Sequence, residues 1–397
     1  MKTMDIEDIF DFLSPVPDSC FKQLSDKNQF GNQWDIYTEK KRPDIEKNNL
    51  FILGIPEERQ AIVNKGSSVS PNEIRKYLYL LFPYISKYAV ADMGNVRPGH
   101  TIKDTYFAIK TIGEELLKRN KTLILLGGSN DLAYAQFLMY EKLEQTINIC
   151  NIDAYVDFNR EINESIHNRN YIGKIILHEP NYLFNYAHLA HQSYFVGAHH
   201  IQFMDDLYFE YYRLGHIRGN IEEAEPVIRN SNILIFDFSA IKQNEGGKVE
   251  HASPNGLNAE EACQLMWYAG MSDKLSSMGI FEVNTRVDTT GHSAHLAAQM
   301  IWSFIEGFYN RKDDFPLKDH PDYETNTVRM HHGKYIINFI RSHKTGRWWM
   351  EVPYPPQLTQ NYERHTLVPC TALDYENALK DILPDRWWQT YMRLSHL

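Results

Sequence analysis

The sequence predicts an α/β fold: a three-layer α/β/α sandwich around a mainly parallel sheet, with N- and C-terminal extensions. Two observations predict it. Between residues 50 and 310, short runs that are apolar on both faces alternate with longer stretches at helical spacing. That is the pattern of a parallel sheet covered by helices on both sides. Outside those limits the alternation lapses, so the first ~45 residues and everything after residue 310 are set apart.

The elements follow in order. "LFILGIP" (50–56) is a buried strand stopped by Pro56. "SPNEIRKYLYLLF" (70–82) opens with Ser-Pro, a helix-start signal, and continues at helical spacing. "TIKDTYFAIKTIGEELLKR" (101–119) is a long amphipathic helix. "KTLILLGG" (121–128), "INICNIDAYVDF" (147–158), "SYFVGAHH" (193–200) and "NILIFDFSAI" (232–241) read as further strands. "NAEEACQLMWYAGM" (258–271) is a helix, "SSMGIFEVN" (276–284) a strand and "SAHLAAQMIWSFIEGFY" (293–309) a final long helix. Beyond it, two β-like runs flank His343-Lys344-Thr345-Gly346 as a hairpin, and the chain ends in helix. The expected division is an extension over 1–48, an α/β domain over 49–310 and an appended module over 311–397.

Composition narrows the class. The net charge of −10 over 397 residues argues against a nucleic-acid surface for the chain as a whole. No apolar run approaches the ~18 residues of a membrane span. The acidic start, MKTMDIEDIFDFLSP, lacks the basic and apolar regions of a secretory leader. Cys20, Cys150, Cys263 and Cys370 are far apart and form no CxxC, as expected of buried thiols in a reducing cytosol. A cytoplasmic location is expected.

In an open parallel sheet, ligands gather at the carboxyl ends of the strands. There the chain places Gly127-Gly128-Ser129-Asn130, then Asp153 and Asp157, then Asp237, then Glu282. Four acids from three strands on one rim repel one another and need protons or a cation. A hard divalent cation is the natural candidate. The plainer alternative is that the three aspartates only hydrogen-bond to loop backbone.

At this point the chain resembles the ureohydrolase superfamily of arginase, agmatinase and formimidoylglutamase. "ILGIPEERQAIVNKGSSVSPNEIRKYL" resembles that family's opening segment, with its Gly-x-Pro, Asn-x-Gly and Pro-x-x-Ile-Arg. "ADMGNV" resembles its Asp-x-Gly-Asp/Asn-Val, and "ILLGGSN" stands where the family has Gly-Gly-x-His. "NIDAYVDF" stands for Asp-Ala-His-x-Asp, and "ILIFDFSAI" for Ser-x-Asp-x-Asp. "GIFEVNTRVDTTGHSAHLAAQMIWSFIEG" resembles the closing strand and last helix, with Asn284-Thr285 in place of Asn-Pro. The match covers about residues 50–310, six motifs in order.

The resemblance implies an arginase-like fold and a site for two Mn2+ ions held by six side chains. Carried over, those are Asn130, Asp153, Tyr155, Asp157, Asp237 and Ser239. Asp153, Asp157 and Asp237 fit; Asn130 and Tyr155 stand for histidines and Ser239 for an aspartate. Asp153, Asp157, Asp237 and Asn130 could form one residual all-oxygen site. Tyr155, a poor substitute for imidazole, is expected to fill the other ion's place, and Asn130 reads first as a turn or cap residue after Gly-Gly. Glu282 matches the family's acid beside the substrate guanidinium. His167 lies where a proton-shuttling histidine could sit, or is an exposed loop residue. Metal binding at His199-His200 is not expected.

The expected cation count is therefore none or one (Mn2+, Mg2+ or Ca2+), and two Mn2+ ions are not expected. The family's hydroxide bridges two ions. A pseudoenzyme acting as a binding or scaffold protein is thus the first reading. The alternative is an active C–N hydrolase on a formimino or guanidino compound with an altered or single-metal site. A protein partner at the C-terminal module and a homo-oligomer complete the expectation; the aromatic pairs Trp348-Trp349 and Trp387-Trp388 are expected to bury area inside the module or at a subunit contact.

Overall fold

The structure, a computed structural model, describes residues 6–84, 88–143, 145–158, 165–247, 252–316, 320–353, 355 and 360–396. Part of the turn-rich stretch after residue 310 (317–319) and the first five residues lie outside these.

Ten strands build the main sheet among the described residues. They are β1 (Leu13–Ser14), β2 (Asp35–Ile36), β3 (Leu50–Gly54), β4 (Val90–Val96), β5 (Thr122–Leu126), β6 (Ile147–Ile152), β7 (Leu183–His191), β8 (Glu210–Arg213), β9 (Ile233–Asp237) and β10 (Ser277–Phe281). Their order is β1-β4-β3-β5-β10-β9-β6-β7-β8, with β2 also on β4. Every pairing is parallel except that of β1 with β4.

The middle of the sheet is buried on both faces because its strands, such as β3, β5 and β10, are mostly apolar and buried at every position. In β5, Ile124 and Leu126 enter one core and Leu123 and Leu125 the other. This is the period-two alternation of a pleated strand. The first core is closed by helices Ser70–Leu78, Ala259–Gly270 and His292–Tyr309. The second is closed by Ile102–Leu117, Leu132–Leu138 and Tyr171–Ile176. Helix Ile102–Leu117 begins at a capping box, Thr101 with Asp104, which satisfies N–H groups its first turn would leave bare.

Two elements differ from expectation. The strand assigned to residues 193–200 lies ten residues earlier, at β7, and His199 and His200 open helix Ala198–Asp206. Asn185, His188 and His191 interrupt the apolar look of β7. They are buried all the same: Asn185 Nδ2 donates to Glu210 (2.7 Å) and both His188 ring nitrogens find partners. Tyr194 and Phe195, which suggested a strand, are 64% and 37% exposed. The second difference is the terminal helix, which is two helices, Ala372–Leu379 and Asp385–Ser395. The first ends before Asp381, whose φ of +64° leaves the helix, and Pro384 stands at the N-cap of the second.

The N-terminal residues add β1 and β2 to the sheet edge and bury Ile9, Phe10 and Leu13. After residue 310, β11 (Tyr323–Met330), β12 (Tyr335–Ser342), β13 (Trp348–Glu351) and β14 (Leu367–Cys370) form a separate antiparallel sheet. The expected hairpin is its β12–β13 pair. The module's own core includes Trp387, whose indole Nε1 donates to the Glu351 carbonyl (2.9 Å). The module meets the main fold at Trp349, beneath the Arg229 guanidinium (4.6 Å).

Candidate metal centre

β5, β10, β9 and β6 are neighbours at the middle of the sheet and end nearly level: Ile280 pairs with Leu126, Phe281 with Asp237, and Ile152 with Phe236. Residues that follow these four strands therefore meet. Asn130, Asp153, Asp157, Asp237, Ser239 and Glu282 all come to one buried rim.

The turn after β5 needs its two glycines. Gly127 and Gly128 have φ of +77° and +81°, a region that disfavours residues with a Cβ. A Cβ on Gly128 would stand 2.7 Å from the Glu57 carbonyl oxygen and 2.9 Å from that of Ile55. The turn thus brings the chain against the loop leaving β3 and delivers Asn130 to the rim. Gly128→Ala is expected to cost about 2–3 kcal/mol, measured by denaturant unfolding.

The three aspartates place one carboxylate oxygen each within 4.8 Å of the others. Asp153 Oδ1 accepts from the Tyr155 N–H (2.9 Å) and the Ser239 hydroxyl (3.0 Å). Asp237 Oδ1 accepts from the Ser239 N–H (2.7 Å), and its Oδ2 from Asn130 Nδ2 (2.8 Å). Asp157 Oδ1 accepts from Arg169 Nη1 (3.1 Å). Among the described residues, three buried oxygens at the rim are left without a hydrogen-bond partner: Asp153 Oδ2, Asp157 Oδ2 and Asn130 Oδ1. Leaving such acceptors bare is costly, and an all-oxygen set of this kind is what a hard divalent cation takes. The residues present fit such an ion.

The electrostatics agree. Burial, then Asp237 and Asp157, raises the Asp153 carboxyl well above its ordinary range. Burial and then Asp157 push Asp237 up to about 6, opposed by Arg169. Burial and then Asp237 push Glu282 up to about 8, although three N–H donors hold it. Those donors are Asn130 N (2.8 Å), Asn168 Nδ2 (3.0 Å) and Asn64 Nδ2 (2.8 Å). Glu282 itself has φ +64°, so the backbone turns at this residue to aim its carboxyl at the rim.

Several residues here were not foreseen. Arg169 packs its guanidinium 4.2 Å over the Tyr155 ring, which stacks on Phe195 at 4.7 Å. Tyr155 therefore carries an internal cation on its face. The nearby cleft, lined by residues including Arg169, Asp237, Ser239 and Glu282, holds about 10 Å³, room for about one water. His167 is buried rather than exposed, and its Nδ1 accepts from the Arg169 backbone N–H (3.0 Å). Beneath the rim, Asn151 donates to Tyr171 and Tyr186 (3.0 Å each). Tyr186 bonds His188 Nδ1 (2.9 Å), and His188 Nε2 bonds the Asp153 carbonyl (3.2 Å). Burial pushes His188 down to about 3, so it is neutral: Tyr186 donates to Nδ1, and Nε2–H donates to the carbonyl. Such outer contacts orient metal ligands.

Residues 48–306 match the Arginase family. The chain is similar to the formimidoylglutamase of Staphylococcus aureus (strain MRSA252), 27% identical over 277 residues that span 64% of this chain and 85% of the relative. Its fold is similar to that of Trypanosoma cruzi formiminoglutamase with Mn2+2. There the TM-score is 0.65 and the identity 19%, over 72% of this chain and 99% of that one. It is also similar to formimidoylglutamase from Bacillus subtilis subsp. subtilis str. 168, with TM-score 0.65 and 16% identity over 77% and 98% of the two chains. These findings correct the expected cation count of none or one. A protein with this fold carries Mn2+2, and the Asp153, Asp157 and Asp237 cluster could bind metal. The substitutions at Asn130, Tyr155 and Ser239 do not exclude two Mn2+ ions.

Proposed function

The chain belongs to the arginase family, and on that premise we propose that it hydrolyses a C–N bond of a small linear amidine, of the formimino rather than the guanidino class. One observation carries this reading: three clustered buried aspartates, two of which, Asp153 and Asp157, keep an oxygen without a partner among the described residues, beside the cleft that Asp237 and Glu282 line. Similarity to formimidoylglutamases supports the formimino choice.

Asp153, Asp157 and Asp237, with the Asn130 amide oxygen, would hold divalent metal. Bound there, metal supplies positive charge and a water acidic enough to attack at neutral pH. The chain's own residues do the rest. Ser239 fixes one oxygen of Asp153 and one of Asp237, leaving the other Asp153 oxygen free to ligate. The three donors on Glu282 hold its carboxyl toward the cleft, where it would accept an N–H of the amidinium. The buried chain from Asn151 to His188 holds the Asp153 backbone in place.

A second reading rests on Arg169. Its guanidinium already neutralises Asp157 and stands by the carboxylates as a tethered amidinium. In that reading the chain binds without hydrolysing. One pair of measurements separates the two. Mn2+-supplemented protein is incubated with N-formimino and guanidino amino acids, and products are followed by mass spectrometry. Turnover of a formimino compound supports hydrolysis. Bound Mn2+ with no turnover of either class defeats it. Arg169→Met should raise Mn2+ affinity by about tenfold, read by calorimetry, because the guanidinium and the ion compete for Asp157. Unchanged affinity would mean that the two do not compete.

A further inference from the structure

A second cluster lies at the opposite end of the sheet. A cleft of about 290 Å³ opens at the N-terminal ends of β5, β9 and β10, where the main fold meets the C-terminal module. Lys121, Lys274, Arg311 and Arg364 line it, against one carboxylate, Asp273. Asp273 is already engaged. It accepts from the backbone N–H groups of Asp313 (3.3 Å) and Asp314 (3.1 Å) and faces Arg347 at 3.7 Å. Among the described residues, none of the four cations of the cleft forms an ion pair with a carboxylate.

Their hydrogen bonds leave donors to spare. Among the described residues, Lys274 Nζ donates to the Asn230 side-chain oxygen (3.0 Å) and to no other acceptor. Arg311 spends Nε and Nη2 on the carbonyls of Gly270 and Leu275, and Arg364 donates Nη1 to Gln145. Arg311 Nη1 and Arg364 Nη2 have no protein acceptor among these bonds. Burial, and then Arg364, lowers Lys274 well below the ordinary lysine range. Burial also lowers Arg364 and pushes Arg311 down to about 10. Like charges gathered in a partly buried cleft destabilise it unless an anion enters.

We propose that this cleft binds a small polyanion of the phosphate class, held by Lys274, Arg311 and Arg364 at the seam between the main fold and the C-terminal module. The chemistry fits: guanidinium forks match phosphate oxygens, and a lysine adds a point charge. The volume admits one or two phosphate groups and little more. Arg364 comes from deep in the module, Lys274 from the main fold and Arg311 from the junction just after helix His292–Tyr309, so a bound anion would tie the two together. This inference is independent of the reading of the metal centre.

Inorganic pyrophosphate is the probe, titrated into the full chain without divalent cations and compared with chloride at equal ionic strength. The expected result is one pyrophosphate per chain by calorimetry and a higher unfolding midpoint than in chloride. Lys274→Met and Arg364→Met should each weaken binding by about tenfold or more. Without anion, each variant should unfold no earlier than the parent, because a repulsion has been removed. A purely structural role for these cations would instead lower the midpoint. Equal pyrophosphate affinity in parent and variants, or no stabilisation beyond chloride, would overturn the proposal. If a methionine variant does not fold, Arg364→Gln, which can still donate toward Gln145, takes its place under the same expectations.

Discussion

Replacing Arg75 with methionine is expected to destabilise the fold by about 3–5 kcal/mol. Arg75 is fully buried in helix Ser70–Leu78. Its Nε and Nη2 form a two-pronged pair with Asp92 of β4, both bonds at 2.8 Å. Nη2 also donates to the Gly94 carbonyl (2.7 Å), and Nη1 to the side-chain oxygens of Asn95 (2.6 Å) and Asn72 (3.2 Å). The Tyr79 hydroxyl (2.8 Å) and the Gly94 N–H (2.9 Å) complete the set on Asp92. Removing the guanidinium leaves Asp92 charged, buried and short of its main partner, which costs far more than the intact pair contributes. The double variant Arg75→Met, Asp92→Asn should recover part of the loss. Urea unfolding of all four members of the cycle gives the coupling. A loss under about 1 kcal/mol for the single change would show that Tyr79 and the Gly94 N–H suffice for Asp92.

This clamp also shows what was legible in the sequence. "SPNEIRKYL" and "ADMGNV" were readable as motifs, and one resemblance joined them. That the arginine of the first closes on the aspartate and asparagine of the second needs the strand order, which places β4 beside β3 and under that helix. Asp153, Asp157, Asp237 and Glu282 were legible because each follows an apolar strand, and strand ends in a parallel sheet share a rim. Arg169 was not. It lies in an aperiodic loop, "IHNRN", and only the folded loop brings it to Asp157. His188 was hidden for a different reason. A buried strand can carry polar groups when they hydrogen-bond one another, as Asn151, Tyr186 and His188 do. Hydropathy alone then points to the wrong segment, here the exposed Tyr194-Phe195.

Mn2+ is expected to stabilise the protein, and more so as pH rises. At a concentration a hundredfold above its dissociation constant, an ion that binds only the folded chain adds about 2.7 kcal/mol, or roughly 3 °C in midpoint for a chain of this size. The pH dependence follows from the raised carboxyls. Asp237 titrates near 6 and Glu282 near 8 in the folded state, both above their unfolded values. Each therefore contributes stability that is fully present below the ordinary carboxylate range, near pH 4, and lost as pH rises through the folded value. Without metal, the fold should weaken between about pH 4 and pH 8 on their account. A cation binds the deprotonated carboxylates and so competes with those protons. Its effect should be small at pH 5 and largest near pH 8. Midpoints with and without Mn2+ across that range test this. A gain that does not vary with pH would show that the ion binds away from Asp237. Asp237→Asn should abolish most of the gain. At pH 8 without metal it should also be more stable than the parent, because it removes one of three carboxylates that repel one another in the absence of a cation.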